Sequence, residues 1–143
     1  MGTTVVLCVI ENGTLHIIHA GDSRAYLINK SKIKQLSKDH SIVQEMVDSG
    51  EITPKEAKNH PQKNIITRAL GVNADIKLDY TKAKLKEGDI ILSCTDGLTN
   101  YLSERDIYKI CSQNVLSSVT DKLVAEGNKR GGGDNITVSV IRY

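Results

Sequence analysis

The sequence predicts an α+β fold built around a mainly antiparallel sheet. Strand-length runs of β-branched residues stand at both ends of the chain, TTVVLCVI at Thr3–Ile10 and NITVSVIR at Asn135–Arg142. Hairpin-type turn signals separate the early runs, and the middle of the chain changes to helical spacing behind capping signatures. Phe and Trp are absent, so the core has to be made from branched aliphatics, which suits sheets better than aromatic-lined clefts.

Thr3–Ile10 has no polar face and is expected to be a strand buried on both sides. Asn12-Gly13 is a tight-turn pair, followed by a second strand over Thr14–Ala20. Gly21 and Asp22 punctuate before a third strand over Arg24–Ile28, and a short fourth runs from Ile33 to Leu36, an antiparallel meander being the simplest arrangement. Ser41 and Gln44 fit a capping box, with Ile42, Val43, Met46 and Val47 at helical spacing and Gly50 as the stop. Thr53-Pro54 starts a second, short helix that ends before His60-Pro61. Residues 50–64 are polar and thinly apolar, an excursion of the kind that forms a mobile flap.

Strands are predicted over Ile76–Leu85 and Ile90–Cys94. Ser103 opens a helix carrying Ile107, Ile110 and Cys111, and a further helix runs from Val115 to Glu126 with Val119, Leu123 and Val124 inward and Gly127 ending it. Gly131-Gly132-Gly133 turns into the last strand. There is no repeat, low-complexity tract or linker, and 143 residues make one domain.

The formal net charge is +2, and the short, almost aromatic-free basic runs argue against nucleic-acid binding. No apolar run approaches a membrane span, and no signal-peptide pattern opens the chain. Cys8, Cys94 and Cys111 are odd in number, far apart and set in apolar runs, which predicts buried reduced thiols in a cytoplasmic protein.

Three aspartates stand at strand ends beside glycine: Asp22 in AGDSRAY, Asp96 in CTDGLTN and Asp134 in GGGDNIT. Carboxylate oxygens without nearby Cys or His suit hard cations such as Mg²⁺ or Mn²⁺; Asp beside Gly is equally ordinary turn chemistry. His40 reads as a residue of the helix-start region, and His16 and His19, three apart in a strand, face opposite sides. Arg24 could pair with a carboxylate beside these aspartates, His60 lies in the flap, and Arg68 near its hinge. Lys30, Lys32, Lys34 and Lys38 decorate a solvated edge.

The ordered set GTT at Gly2–Thr4, GDSRAY at Gly21–Tyr26, LSKDHS at Leu36–Ser41, TRALG at Thr67–Gly71, CTDGLTN at Cys94–Asn100 and GGGDNIT at Gly131–Thr137 resembles the bacterial type 2C (PPM-type) metal-dependent serine/threonine protein phosphatases. Six pieces in that order span essentially the whole chain. The resemblance implies a four-layer fold, a β-sandwich flanked by helices, with the N-terminal strands lacking here.

It also implies hydrolysis of phosphoserine and phosphothreonine in proteins by water activated between two metal ions, Mn²⁺ or Mg²⁺, with a third ion in some members. By motif, Asp96 and Asp134 match metal ligands, Asp22 a third-site ligand, and Asn100 stands where many members carry a second aspartate. The family's early Asp-Gly motif, phosphate-binding arginine and general acid lie upstream of the GTT segment, so the resemblance leaves the catalytic residues of this chain unassigned. It therefore reads as the C-terminal portion of a catalytic domain, 1–143, with its flap at about 50–64. The partners implied are phosphorylated proteins, opposing a serine/threonine kinase, with self-association through exposed sheet edges. The alternative is a catalytically incomplete module of the same fold that binds or regulates a phosphoprotein.

Overall fold

The computed structural model describes all residues, Met1–Tyr143. In chain order the elements are β1 (Val5–Glu11), β2 (Thr14–Ala20), β3 (Arg24–Ile28), β4 (Ile33–Gln35), α1 (Ile42–Ser49), α2 (Pro54–Ala57), β5 (Asp79–Lys84), β6 (Ile90–Cys94), α3 (Asp96–Thr99), α4 (Glu104–Gln113), α5 (Leu116–Lys129) and β7 (Val138–Arg142). They form two sheets, β1-β2-β5 and β4-β3-β6-β7, with every pairing antiparallel.

The hairpin signal is used as written. Asn12 and Gly13 both take positive φ, 46° and 70°, the twist that lets a two-residue turn join β1 to β2. The simple meander does not continue beyond it. β2 pairs with β1 and β5 but not β3, so the chain crosses from one sheet to the other at Gly21–Ser23. A turn signal alone does not distinguish a hairpin from a change of sheet.

Alternation along the strands builds two cores. Leu15, Ile17, Ala25, Leu36, Leu85 and Ile91 pack between the sheets, joined by Val6 and Cys8. On the other face of the four-stranded sheet, Tyr26, Ile28, Ile90, Leu92 and Cys94 meet Leu98, Leu102, Ile107, Cys111, Val119 and Leu123 of the helical layer. The four-stranded sheet is thus apolar on both faces, which explains IILSC reading as a continuous apolar run.

Three layers result: sheet, sheet, helices. The expected fourth layer is not formed by these residues. The outer face of β1-β2-β5 presents Leu7, Val9 and Tyr80 to solvent, which also corrects the expectation that the first strand is buried on both sides: only its Val6 and Cys8 face packs inward.

The helix signals fare well at their starts. Ser41, Thr53 and Ser103 all cap through their side chains, Thr53 and Ser103 with a full reciprocal box, and Gly50 closes α1 in the left-handed conformation at φ 80°. Gly127, expected to end α5, instead lies inside it and is buried. A Cβ there would stand 2.6 Å from Ile136 Cδ1, so this glycine lets the helix approach the segment that leads into β7, and the helix runs on to Lys129. The final strand is shorter than predicted, beginning at Val138. No helix is long and apolar enough to cross a membrane.

Candidate metal centre

The three aspartates arise from two neighbouring places in the fold. Asp96 opens α3 directly after β6, and Asp134 precedes β7, the strand beside β6 in the same sheet. Cys94 pairs with Val138, and the Thr95 N–H continues that ladder to the Thr137 carbonyl at 3.1 Å. The two segments touch so closely that a Cβ on Gly97 would run into the Asn135 carbonyl. Asp22 comes from the crossover between the sheets, and β3, two residues later, pairs with the other edge of β6.

Asp22, Asp96 and Asn100 line one cavity of about 720 Å³. Asp134 is exposed and lies outside that lining, its Oδ1 accepting the Asn135 N–H at 2.7 Å. The Asn100 amide donates to Asp96 Oδ2 at 3.4 Å, a long bond that puts its side-chain oxygen in the neighbourhood of the carboxylate. α1 and residues of the 54–64 segment also line the cavity, the latter contributing Lys58 and Lys63, while Arg105 comes from α4.

Burial and then the charge of Asp96 push the Asp22 carboxyl up to about 6. The two carboxylates therefore hold negative charge in a partly desolvated place, and Arg24 offsets little of it because it is committed elsewhere. Its guanidinium makes a two-pronged bond to Asp39, Nε to Oδ1 at 2.8 Å and Nη2 to Oδ2 at 2.6 Å. Arg24 and Asp39 are both largely buried against the cavity, so this is no loose surface pair.

The Gly21–Ser23 crossover is held from three directions. Gly21 takes φ 108°, and a Cβ there would stand 2.7 Å from Thr4 Cβ. Thr4 and Ser23 hydroxyls are 2.8 Å apart. From the flap side His40 Nδ1 accepts the Gly21 N–H at 3.1 Å. With Nδ1 an acceptor, the ring proton lies on Nε2, which faces Asp79 Oδ2 at 3.1 Å. Arg68 Nη1 bonds the other oxygen of Asp79 at 2.8 Å.

His19 stacks on His40 with centroids 4.8 Å apart and planes 4° from parallel. His19, His40 and Asp79 bring ligand-type atoms within 4.8 Å of one another. Parallel stacked rings, however, do not aim their in-plane lone pairs at one point about 2 Å from both, and Arg68 already neutralises the carboxylate. The cluster is a hydrogen-bonded brace.

His16, on the opposite face of β2, meets Tyr80 Oη at 2.7 Å instead. Burial disfavours the thiolate form of all three free thiols, raising Cys8 and pushing Cys94 up to about 12 and Cys111 up to about 11. Of the residues that the sequence singles out as metal ligands, Asp22, Asp96 and Asn100 line one cavity; Asp39, Asp79, Thr95 and Tyr101 carry no such signal, because their contacts depend on which loops the sheets bring together.

Comparison with known proteins agrees with this architecture. The family described as Protein phosphatase 2C matches residues 1–46. Protein phosphatase PhpP of Streptococcus pneumoniae is 43% identical over 143 residues, covering 99% of this chain and 58% of that protein. Serine/threonine phosphatase stp of Listeria monocytogenes is 40% identical over 142 residues, covering 99% and 56%. The crystal structure of Stp1 from Staphylococcus aureus superposes with a TM-score of 0.96 at 35% identity, over 100% of this chain and 57% of that one. The catalytic domain of the phosphatase PstP, solved in complex with two manganese ions, gives 0.86 at 34% identity over 98% and 57%. Along nearly its whole length the chain is similar to members of the protein phosphatase 2C family. It spans a little over half the length of these relatives.

Proposed function

We propose that this chain is the C-terminal part of a catalytic domain that hydrolyses phosphoserine and phosphothreonine in proteins, with Asp96 and Asp134 as metal ligands and Asp22 and Asn100 at a third, weaker site. The observation that carries the reading is the shared cavity of Asp22 and Asp96, an all-oxygen donor set whose charges repel without a cation between them. Mn²⁺ or Mg²⁺ fits such a set, and when bound would neutralise phosphoryl charge and activate the attacking water.

The chain's own residues do the rest. Arg24 and Asp39 fix part of the wall, Asn100 steadies Asp96, and Lys58 and Lys63 add positive charge to the lining of the same cavity, which suits a phosphorylated side chain. Similarity to the family supports a cytoplasmic enzyme working against a serine/threonine kinase. The exposed β1 edge, with Leu7 and Val9, supports self-association, which sedimentation velocity would read as a concentration-dependent species.

A second reading, a module that binds phosphoproteins without turning them over, is favoured by one observation: Asp134 stands outside the cavity that Asp22 and Asp96 line. One experiment separates the two. Mn²⁺-dependent release of phosphate from a phosphothreonine peptide is measured for the chain, for Asp96→Asn and for Asp134→Asn, beside Mn²⁺ and peptide binding by calorimetry. Slow turnover lost in both variants supports the enzyme. Peptide binding with no turnover supports the module, and Mn²⁺ binding untouched by both substitutions overturns the ligand assignment.

A further inference from the structure

The Asp96 segment grips the Asp134 segment on both sides of the aspartate. On one side, Thr95 Oγ1 donates to the Asn135 carbonyl at 3.3 Å and accepts the Thr137 N–H at 3.0 Å. On the other, Tyr101 Oη accepts the Gly133 N–H at 3.1 Å. Tyr101 is itself seated on the core, its N–H donating to the carbonyl of the fully buried Leu98 at 3.2 Å. Its ring lies along the triple glycine: a Cβ on Gly131 would stand 2.9 Å from Tyr101 Cδ1, and one on Gly133 would stand 2.5 Å from the hydroxyl. No other side chain bonds the Gly133 N–H, and the loop is exposed.

We propose that Tyr101 is a positioning residue for Asp134. Its hydroxyl fixes the Gly132–Gly133 peptide unit, one residue before the aspartate, while Thr95 fixes the Asn135–Ile136 and Ile136–Thr137 units beyond it, so the short span that carries the carboxylate is held at both ends relative to Asp96. This rests on the metal reading above. The ring and the hydroxyl have separable duties: the ring crowds a Cβ at 131, whereas the hydroxyl crowds one at 133 and orients the Gly132–Gly133 peptide unit. A Phe at 101 keeps the first and loses the second.

The test is a Mn²⁺ titration of the chain followed by paramagnetic broadening of its backbone amides, with the thermal midpoint and Gly133 amide exchange recorded in parallel. Tyr101→Phe is expected to raise the Mn²⁺ midpoint read at Gly133 and Asn135 about fivefold, the factor that one hydrogen bond of ~1 kcal/mol carries. It should speed exchange at Gly133 and leave the thermal midpoint within about 2 °C of the parent. Asp134→Asn serves as the reference for lost ligation. If Asp134→Asn abolishes the broadening while Tyr101→Phe titrates like the parent, Tyr101 is packing alone and the proposal falls. If Asp134→Asn broadens like the parent, or no amide near residue 134 broadens in the parent, the metal assignment of Asp134 falls and takes this one with it.

Discussion

His40 and Gly21 bond to each other twice: the Gly21 N–H donates to His40 Nδ1 at 3.1 Å, and the His40 N–H donates to the Gly21 carbonyl at 2.9 Å. The His40 carbonyl in turn accepts the Thr67 N–H at 2.8 Å, so this histidine joins the crossover that carries Asp22 to the strand of chain returning from the flap. The ring's remaining nitrogen meets Asp79, and Asp79 meets Arg68.

Because His40 is buried, removing its acceptor leaves the Gly21 N–H without a partner. His40→Leu is expected to lose about 2 kcal/mol in urea unfolding, within the range for a buried unsatisfied donor. His40→Asn, whose side-chain oxygen can stand near the place of Nδ1, should recover at least half of that. Equal losses in both variants would show that the bond to Gly21 contributes nothing beyond ring packing.

The same ring makes stability depend on pH. Burial lowers the His40 pKa below its ordinary 6.5, outweighing the Asp79 bond that raises it, with Arg68 and His19 also lowering it. The unfolded chain therefore takes up a proton at this histidine before the folded one does. The contribution is complete above about pH 6.5 and declines as pH falls below it. The thermal midpoint of the parent should drop between about pH 7 and 5.5, and His40→Asn should flatten that part of the curve. An unchanged slope in the variant would assign the dependence to another group.

Gly97 tests the contact between the two aspartate segments. No positive φ is demanded there, so alanine is excluded only by the Asn135 carbonyl. Gly97→Ala is expected to cost about 1–3 kcal/mol, the usual penalty for forcing atoms into a filled space, and to weaken Mn²⁺ binding by parting Asp96 from Asp134. A variant as stable as the parent would mean that the segments separate freely.

At the far end of the helical layer, Asp106 accepts from the Ser103 N–H and hydroxyl and from both prongs of Arg130. The Arg130 guanidinium and the Ser103 hydroxyl hold its carboxyl well below the usual carboxylate range. This stabilisation is present above about pH 4, where the unfolded aspartate ionises, and is lost as pH falls through the lower folded value. Asp106→Asn should cost about 1 kcal/mol at pH 7, mostly as a lost helix cap, and parent and variant should converge in acid. A gap that persists undiminished in strong acid would contradict this.

What could be read from the chain and what could not divide along a physical line. Thr53, Ser103, Gly50 and Asn12-Gly13 act on neighbours within a few residues, and their roles in the structure are those their spacing predicts; Ser41 caps α1 as well, but the expected box is only half made, because the Gln44 amide turns to Asp48. Gly127 and the first strand are not legible from their neighbours because their roles depend on Ile136 and on which residues cover the outer sheet face. The site divides in the same way. Asp22, Asp96 and Asp134 announce themselves by standing beside glycine, whereas Asp39, Asp79 and Tyr101 acquire their roles only when distant loops meet. The crossover from one sheet to the other is hidden in the sequence because Gly21-Asp22 resembles a hairpin turn from within.

The triple glycine has a consequence beyond local geometry. Gly131 and Gly133 adopt backbone angles open to any residue, so only the bulk of Tyr101 bars a side chain from either place. Volume at 131 or 133 and volume at 101 are therefore interchangeable quantities, traded across one contact. Related sequences should record that trade as paired substitution, with a larger residue after Asn128-Lys129-Arg130 accompanied by a smaller one after Asn100, and the aspartate kept in place by whichever side of the contact yields.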